Sequence, residues 1–253
     1  MRPVTTDPLA ALGDLPGVFE AVDAARASID GLLREPALRR GRGTVRAESR
    51  RRAAWASTRL AGVDVPLGEF DAPFGDDPDG QRSAASLRLA GAVRELSKAW
   101  RQAPLQAIAR LHTLAAIDVA PPELLGRPRP EPGVTSRLTA LASAVTSSEA
   151  SGVVVAAVVH GELLDLKPFG WGDDLIARAA ARLVLVSRGV DPDALTVPEE
   201  GLLELGRDRY DQALEAYRSG TAEGLATWII HNAAALQRGA LIARQLCNPT
   251  PLG

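Results

Sequence analysis

Apolar residues recur at helical spacing along most of this chain, in segments separated by stretches rich in proline and glycine. The predicted helical segments are residues 8–35 with a break near Pro16, 48–62, 82–101, 103–117, 134–146, 148–166, 173–189, 199–218 and 221–246. Apolar residues make up 46% of the chain and aromatic residues only 4%, so the core is built largely from Ala, Leu and Val. This mix favours helices over sheet and predicts an all-α fold.

The chain also shows where this helical bundle divides. Residues 63–81 are rich in Pro, Gly and Asp, and they predict a linker after an N-terminal helical region. The sequence therefore predicts an N-terminal region at 1–81 and a core domain at 82–253. Residues 153–159 are rich in β-branched valine, but their apolar flanks exceed strand length, so we expect a buried helix there.

Charge and composition limit the classes of partner. The net charge is −2 and the isoelectric point is about 6.0, which argues against nucleic acid as the main partner. A basic stretch nevertheless contains Arg39, Arg40, Arg42, Arg46, Arg50, Arg51 and Arg52. No aromatic residue interleaves these arginines, so a solvated helix face is favoured over a nucleic-acid contact.

Targeting and redox signals are absent from the sequence. Cys247 is the only cysteine, which excludes an internal disulfide and a four-cysteine zinc site. The N-terminus has no apolar run of signal-peptide length, and residues 153–159 fall far short of the ~20 residues that a membrane span needs. We therefore expect a cytoplasmic protein.

Lys98 and Lys167 are the only lysines among 29 basic residues, an arginine bias typical of a GC-rich bacterium.

The segment from residue 160 to 192 is the most informative. A helix ends near Lys167, the residues Pro168 and Phe169 and two glycines form a short loop, and a new helix begins at Asp173. A loop that leads into a helix N-terminus can hold phosphate, because free N–H groups and the positive end of the helix dipole face the anion.

The residues from Lys167 to Arg178, KPFGWGDDLIAR, resemble the signature of the Fic (Fido-domain) family, H-P-F-x-[DE]-G-N-G-R-x-x-R. His160 falls at the position of a histidine that precedes the family motif by seven residues. The matching motif residues are Pro168, Phe169, Gly172 and Arg178. Further segments agree in order: LQAIARLHTLAAI, LLGRPRP, SRGVDP and DRYDQALEAYRSGTAEGLATWIIH. The resemblance covers about residues 82–247 and implies a helical bundle with a short irregular or hairpin flap near 120–134.

In the Fic family the motif His acts as a base, the acidic residue holds Mg²⁺, the Asn and glycines bring amides to the phosphates, and the first Arg binds the terminal phosphates. The residues at these positions here are Lys167, Trp171, Asp173, Asp174 and Leu175. A lysine is protonated at neutral pH, and Trp171 has no ligand oxygen. The two carboxylates would repel a triphosphate by about 1 kcal/mol per charge pair in a solvated site. We therefore expect no AMP transfer, no bound metal, and no ATP or Mg²⁺ in the family's manner.

Other roles for these residues remain open. Lys167 could be a nucleophile or base, but an ion pair with Asp173 or Asp174 that locks the loop is favoured. Arg178 follows Asp174 by four residues, so an ion pair within the helix competes with ligand binding. The candidate ligand-binding residues are His160, Phe169, Trp171, Gly172, Asp173, Asp174 and Arg178. His160 lies on an apolar helix, where a hydrogen-bonded core histidine is favoured over a catalyst. The sequence indicates no partner for His112 and His231.

A second short match lies in the N-terminal region. Residues 57–62, STRLAG, resemble the inhibitory helix [ST]-x-x-x-E-[GN] of many Fic proteins, whose Glu pairs with the second Arg of the motif. Ser57 and Gly62 match, and Ala61 stands where the Glu would be. The resemblance implies that inhibition was lost together with activity.

Three functions follow as hypotheses. The first is a protein of Fic fold without AMP-transferase activity that binds a partner protein or a small molecule, with a homodimer as a family-level expectation. The second is an enzyme that uses Lys167, Asp173 and Arg178 for a different transfer reaction. The third, nucleic-acid binding through residues 39–52, is the weakest.

Overall fold

The structure, a computed structural model, describes residue 7 and residues 9–247. In this part of the chain there are ten α-helices and no strand, so the all-α prediction is confirmed. The helices are α1 Val18–Leu33, α2 Leu38–Leu60, α3 Pro78–Gln102, α4 Pro104–Ala116, α5 Val134–Ser147, α6 Gly152–Leu166, α7 Asp173–Ser187, α8 Pro198–Leu205, α9 Arg207–Arg218 and α10 Ala222–Cys247. Short 3-10 turns occupy Ala10–Asp14, Leu67–Glu69 and Pro122–Leu124.

Local chemistry explains several helix ends. The Asp77 carboxylate caps α3 by accepting a hydrogen bond from the Gly80 N–H at 2.7 Å, and a proline occupies the first helical position. The Ser151 hydroxyl caps α6 in the same way. Gly62 follows α2 with a φ of +95°, the left-handed conformation that glycine adopts without steric cost. The predicted helix end at Gly62 is therefore correct.

Two helix predictions were wrong. Helix α2 begins at Leu38 rather than at residue 48, although Gly41 and Gly43 each cost about 1 kcal/mol relative to alanine inside a helix. Its buried residues Leu38 and Val45 pack against the core, and burying side chains of this size contributes about 1.5–3 kcal/mol each, which outweighs that cost. The basic stretch therefore lies along a continuous helix.

The predicted helix at 199–218 is two helices, α8 and α9, separated at Gly206. Gly206 has φ +98° and ψ 140°, a conformation that ends the helical path. Helix α8 crosses α10 so closely that a Cβ built on Gly201 would lie 2.0 Å from the Ala235 carbonyl oxygen. Both α8 and α9 pack against α10, and the break at Gly206 makes this double contact possible.

Helices α6 and α7 form the centre of the bundle. Every residue of α6 from 152 to 161 is buried, which confirms the predicted buried helix. Helix α7 packs against α2, α3, α4 and α6, while α10 packs against α1, α2, α6, α8 and α9. The loop between α6 and α7 is thus held at both ends by buried helices. The division of the chain at residue 81 stays a prediction, although α1 and α2 pack on helices of the predicted core.

The segment between α4 and α5 is irregular. Apart from the turn Pro122–Leu124 it contains no regular element, and no hairpin forms in residues 120–133, so that form of the predicted flap is wrong. Its five prolines lack the N–H groups that strand pairing requires. No helix in the described part of the chain is long and apolar enough to cross a membrane. The sequence also predicts that no signal peptide is present at the N-terminus. Part of that segment, residues 1–6 and 8, lies outside the described residues.

Candidate functional site

The loop between α6 and α7 turns through three residues in the left-handed conformation. Lys167 ends α6 with φ 46°, and Gly170 and Gly172 have φ values of 84° and 68°. Glycine adopts this conformation freely, whereas a lysine rarely does. Helix α7 begins directly after Gly172, so its first N–H groups lie beside the loop.

Asp173 occupies the interior of this loop. Its Oδ1 accepts a hydrogen bond from the Phe169 N–H at 2.9 Å, and its Oδ2 accepts one from the Gly170 N–H at 2.7 Å. The residue is only 7% exposed, and burial raises the pKa of its carboxyl above the ordinary value. The carboxylate therefore takes the loop amides that would otherwise be free to hold an anion.

Asp174 and Arg178 form the ion pair that their four-residue spacing predicts. The Arg178 guanidinium donates to Asp174 Oδ2 at 2.8 Å, and Arg178 is only 3% exposed. Burial opposes ionisation of Asp174, but the charge and hydrogen bond of Arg178 and the charge of Arg82 together outweigh it and lower the pKa of the carboxyl. The site thus carries its own compensating charges.

Arg178 also binds the end of α2. Its Nε donates to the Ser57 hydroxyl at 2.8 Å, and its Nη2 donates to the Ser57 carbonyl at 3.0 Å. The segment STRLAG therefore lies where the resemblance implied, against the second arginine of the motif. The contact comes from Ser57, while Ala61 and Gly62 contribute no hydrogen bond to Arg178.

The predicted ion pair between Lys167 and an aspartate is not formed. Lys167 is exposed and has no carboxylate within 4.0 Å in the part of the chain that the structure describes. Both aspartates are already engaged, one by the loop amides and the other by Arg178. The backbone of Lys167 is held instead by Arg129, whose Nε donates to the Lys167 carbonyl at 2.9 Å.

The flap is attached to the loop through this arginine and through a histidine. The Arg129 N–H donates to the Pro168 carbonyl at 2.8 Å. Phe169 stacks on His112 with ring centroids 4.1 Å apart and an angle of 7° between the planes. The His112 Nδ1 accepts a hydrogen bond from the Gly126 N–H, and burial lowers the pKa of this histidine. The sequence alone indicates no partner for His112, because both contacts join residues from different elements.

His160 is a buried, hydrogen-bonded residue, as favoured from the sequence. Its Nδ1 lies 2.8 Å from Asn232 Oδ1, and its Nε2 lies 2.8 Å from the Tyr210 hydroxyl. The Asn232 amide donates to the Trp228 carbonyl, which leaves Oδ1 as the acceptor facing the histidine. The proton is therefore on Nδ1, and Nε2 accepts from Tyr210. Burial lowers the pKa of His160 to about 3, so the ring is neutral.

A groove of about 330 Å³ lies in front of α7, and we name it the front groove. Leu60 and Ala61 at the end of α2 form one wall, and residues of α9, including Arg207, form another. Trp171 lies half-buried on its wall with the Arg82 guanidinium 5.8 Å from the ring centroid, within the range of a cation–π contact. Lys167, Gly172, Asp173 and Asp174 also line the front groove.

In the part of the chain that is described, no group of three or more His, Cys, Asp or Glu side chains could hold a metal ion. Of the predicted site residues, the structure brings seven to the front groove: Lys167, Trp171, Gly172, Asp173, Asp174, Arg178 and Ala61. His160 and Phe169 lie behind them, in contact with Tyr210 and His112.

Solved structures of Fic proteins have a similar arrangement of helices. The structure is similar to a Fic family protein from Desulfovibrio desulfuricans G20, with a TM-score of 0.72 and 17% identity over 94% of this chain and 77% of that one. It is also similar to Fic-1 from C. elegans, with a TM-score of 0.66 and 17% identity over 90% of this chain and 73% of the other. The chain has the Fic fold. No protein-family model matches the sequence, and a search of the curated proteins finds no match either.

The Fic fold extends further toward the N-terminus than the sequence resemblance. The resemblance covers about residues 82–247, whereas the structural likeness covers 94% of the chain and so includes much of the N-terminal region. Helix α2 therefore belongs to the part of the chain that shares the Fic fold. Its end forms a wall of the front groove.

Proposed function

We propose that this chain is a divergent member of the Fic family that does not transfer AMP and that acts as a binding or regulatory module. The observation that carries the proposal is the position of Asp173. Its carboxylate accepts the N–H groups of Phe169 and Gly170, and it stands at the motif position that the resemblance assigns to phosphate binding. An internal carboxylate thus takes the place of the external anion.

The residues of the front groove do not fit ATP and Mg²⁺. Trp171, at the position of the family's metal-binding acid, offers no oxygen, and Asp174 is engaged by Arg178. Two carboxylates in the first turn of α7 would repel a triphosphate by about 1 kcal/mol per charge pair, and more where water is excluded. Leu175, at the position of the phosphate-binding arginine, is buried and apolar.

The front groove suits a ligand with both apolar and polar groups. Leu60, Leu164 and Leu214 supply apolar surface, while Arg82 and Arg207, each in an ion pair with an aspartate of the groove, supply polar groups. Its volume of about 330 Å³ is within the range of small-molecule sites, roughly 300–1,000 Å³. A segment of a partner protein or a small molecule with both apolar and polar groups meets these requirements.

The test is an incubation of the protein with labelled ATP, Mg²⁺ or Mn²⁺, and a cell lysate. We expect no transfer of label to any protein. Label transfer that Lys167→Ala abolishes would overturn the proposal.

A binding experiment addresses the physical reason separately. We expect the wild-type protein to bind ATP too weakly for calorimetry to detect. Asp173→Ala frees two loop amides and removes one negative charge, and we expect it to bind ATP at least tenfold more tightly than the detection limit. Equal affinity of the two proteins would show that Asp173 does not exclude the nucleotide. A control, Asp211→Ala, removes a carboxylate of the same groove that accepts from Arg207 and from no loop amide.

An enzyme that performs a different transfer reaction with Lys167, Asp173 and Arg178 is the second candidate. The observation that favours it is the exposed Lys167 amine at an open groove, with no carboxylate within 4.0 Å in the described residues. Because Lys98 is the only other lysine, acylation by a small reagent provides an internal control. Acylation of Lys167 at least tenfold faster than of Lys98 would support this candidate, and equal rates would count against it.

A further inference from the structure

A second groove, of about 580 Å³, lies between α2 and α3 and shares no lining residue with the front groove. Helix α2 contributes Arg46 and Arg50 to it, and helix α3 contributes Arg94 and Lys98. One carboxylate, that of Glu95, lies on its wall. We name this surface the basic groove. It concentrates positive charge in a chain whose net charge is −2.

The cations of the basic groove repel one another. Arg46 and Arg50 are four residues apart on α2, and Arg94 and Lys98 are four residues apart on α3. Side chains at this spacing are neighbours on a helix, about 5–6 Å apart at Cβ, and like charges there are destabilising. In the described part of the chain, Arg94 alone of the four has a carboxylate within 4.0 Å, that of Asp193 at 3.9 Å.

Four other arginines of α2 are paired with carboxylates. The ion pairs are Arg42 with Asp193, Arg51 and Arg52 with Glu48, and Arg59 with Asp64. Among the described residues of this helix, four arginines have no carboxylate within 4.0 Å. Arg46 and Arg50 line the basic groove, whereas Arg39 and Arg40 are exposed and lie outside it. The basic groove is thus the concave surface at which the positive charge of α2 is left uncompensated.

The floor of the basic groove is open. It consists of small residues, and a Cβ built on Gly43 or Gly91 would find no heavy atom within 4 Å. At the base lies Arg182, which is only 4% exposed and whose Nη1 has no hydrogen-bond partner in the described structure. The nearest carboxylate to that nitrogen is Glu199, at 3.5 Å. A concave site lined by one sign of charge focuses the electric field and attracts ions of the opposite sign.

We propose that the basic groove binds a small ligand with two or more linked phosphate groups. Guanidinium groups bind phosphate oxygens in pairs, and two rows of cations on facing helices can contact successive phosphates. A nucleic-acid strand fits less well, because no aromatic side chain lines the groove to stack a base. The volume of about 580 Å³ is that of a small-molecule site, roughly 300–1,000 Å³.

The probe is inorganic triphosphate, titrated into the full chain by calorimetry at low salt. We expect Arg46→Ala/Arg50→Ala to weaken binding at least tenfold, because it removes two of the four cations that α2 and α3 contribute. The matched control, Arg39→Ala/Arg40→Ala, makes the same change of charge on the same helix outside the groove, and we expect less than a twofold effect. A thermal melt of each variant confirms that it is folded.

A third variant keeps every cation. Ala47 is exposed on the floor of the basic groove, and Ala47→Glu adds a carboxylate there without removing an arginine. We expect at least a fivefold loss of triphosphate affinity. We expect Arg82→Ala, in the front groove, to change the triphosphate affinity less than twofold. This result would distinguish the basic groove from the front groove.

Four results would overturn the proposal. They are the absence of triphosphate binding to the wild-type protein, an equal loss in the two double variants, a loss confined to Arg82→Ala, and orthophosphate binding as tight as triphosphate binding. Single-stranded oligonucleotides distinguish the remaining class of ligand. Affinity that rises with oligonucleotide length, without triphosphate binding, would assign the groove to nucleic acid and reject a small ligand.

Discussion

His160 makes the stability of this fold depend on pH. The ring is 1% exposed, and burial lowers its pKa from 6.5 to about 3. In the unfolded chain the His160 ring therefore binds a proton below about pH 6.5. In the folded chain it binds this proton only below about pH 3. Stability due to this residue is present above the unfolded pKa and is lost as the pH falls, because protonation favours the unfolded state.

The size of the effect follows from the same two pKa values. One proton bound only by the unfolded chain changes the free energy of unfolding by about 1.4 kcal/mol per pH unit. Between about pH 7 and pH 5 the loss due to His160 alone is about 2 kcal/mol. Burial also lowers the pKa values of His112 and His231, which act in the same direction, whereas the raised pKa values of Asp173 and Glu199 act in the opposite direction.

A variant without an ionisable group at position 160 isolates the contribution of His160 to the pH dependence of stability. Urea unfolding of the wild-type protein and of His160→Gln, followed by circular dichroism between about pH 7 and pH 5, gives both pH dependences. We expect the wild-type protein to lose about 2 kcal/mol more than the variant over this range. Parallel curves would refute the reasoning, as would a pKa near 6.5 for the His160 ring in an NMR titration.

Three further changes test packing and the loop. Asp173→Ala removes two charge-assisted hydrogen bonds and should lower the free energy of unfolding by about 2–4 kcal/mol, measured by urea unfolding. Gly201→Ala places a Cβ 2.0 Å from the Ala235 carbonyl oxygen, and we expect a loss of at least about 2 kcal/mol in the same experiment. Gly41→Ala adds a Cβ with no heavy atom within 4 Å and should stabilise α2 by about 0.5–1 kcal/mol.

Each of these changes has a result that contradicts it. Wild-type stability of Asp173→Ala would mean that the loop amides find other partners. A stable Gly201→Ala protein would mean that α8 and α10 lie further apart than the structure shows. A loss of stability in Gly41→Ala would mean that the glycine is required within α2.

The sequence by itself determined the features that depend on neighbouring residues. The helical periodicity, the terminating Gly62 and the ion pair between Asp174 and Arg178 all involve residues within about one turn of each other, so a local pattern predicts them. The order of the motif residues predicted the Fic fold, which the structural likeness confirms.

Only the tertiary structure decided the partners of residues that are distant along the chain. Ser57 and Arg178 are 121 positions apart, and His160 lies 50 positions from Tyr210 and 72 from Asn232. The predicted pair between Lys167 and an aspartate failed for the same reason: two closer donors and a buried arginine compete for the carboxylates.

Tertiary packing also overrode local preference in the helices. Helix α2 continues through Gly41 and Gly43 because its buried face stabilises it by more than the glycines cost. The break at Gly206 allows both α8 and α9 to pack on α10. The hydrophobic periodicity of residues 199–218 does not predict this break, because it depends on a distant helix. The sequence thus determined most of the helical segments and the contacts within one turn, whereas burial in three dimensions decided where α2 begins, where the helix breaks at Gly206 and which distant residues meet.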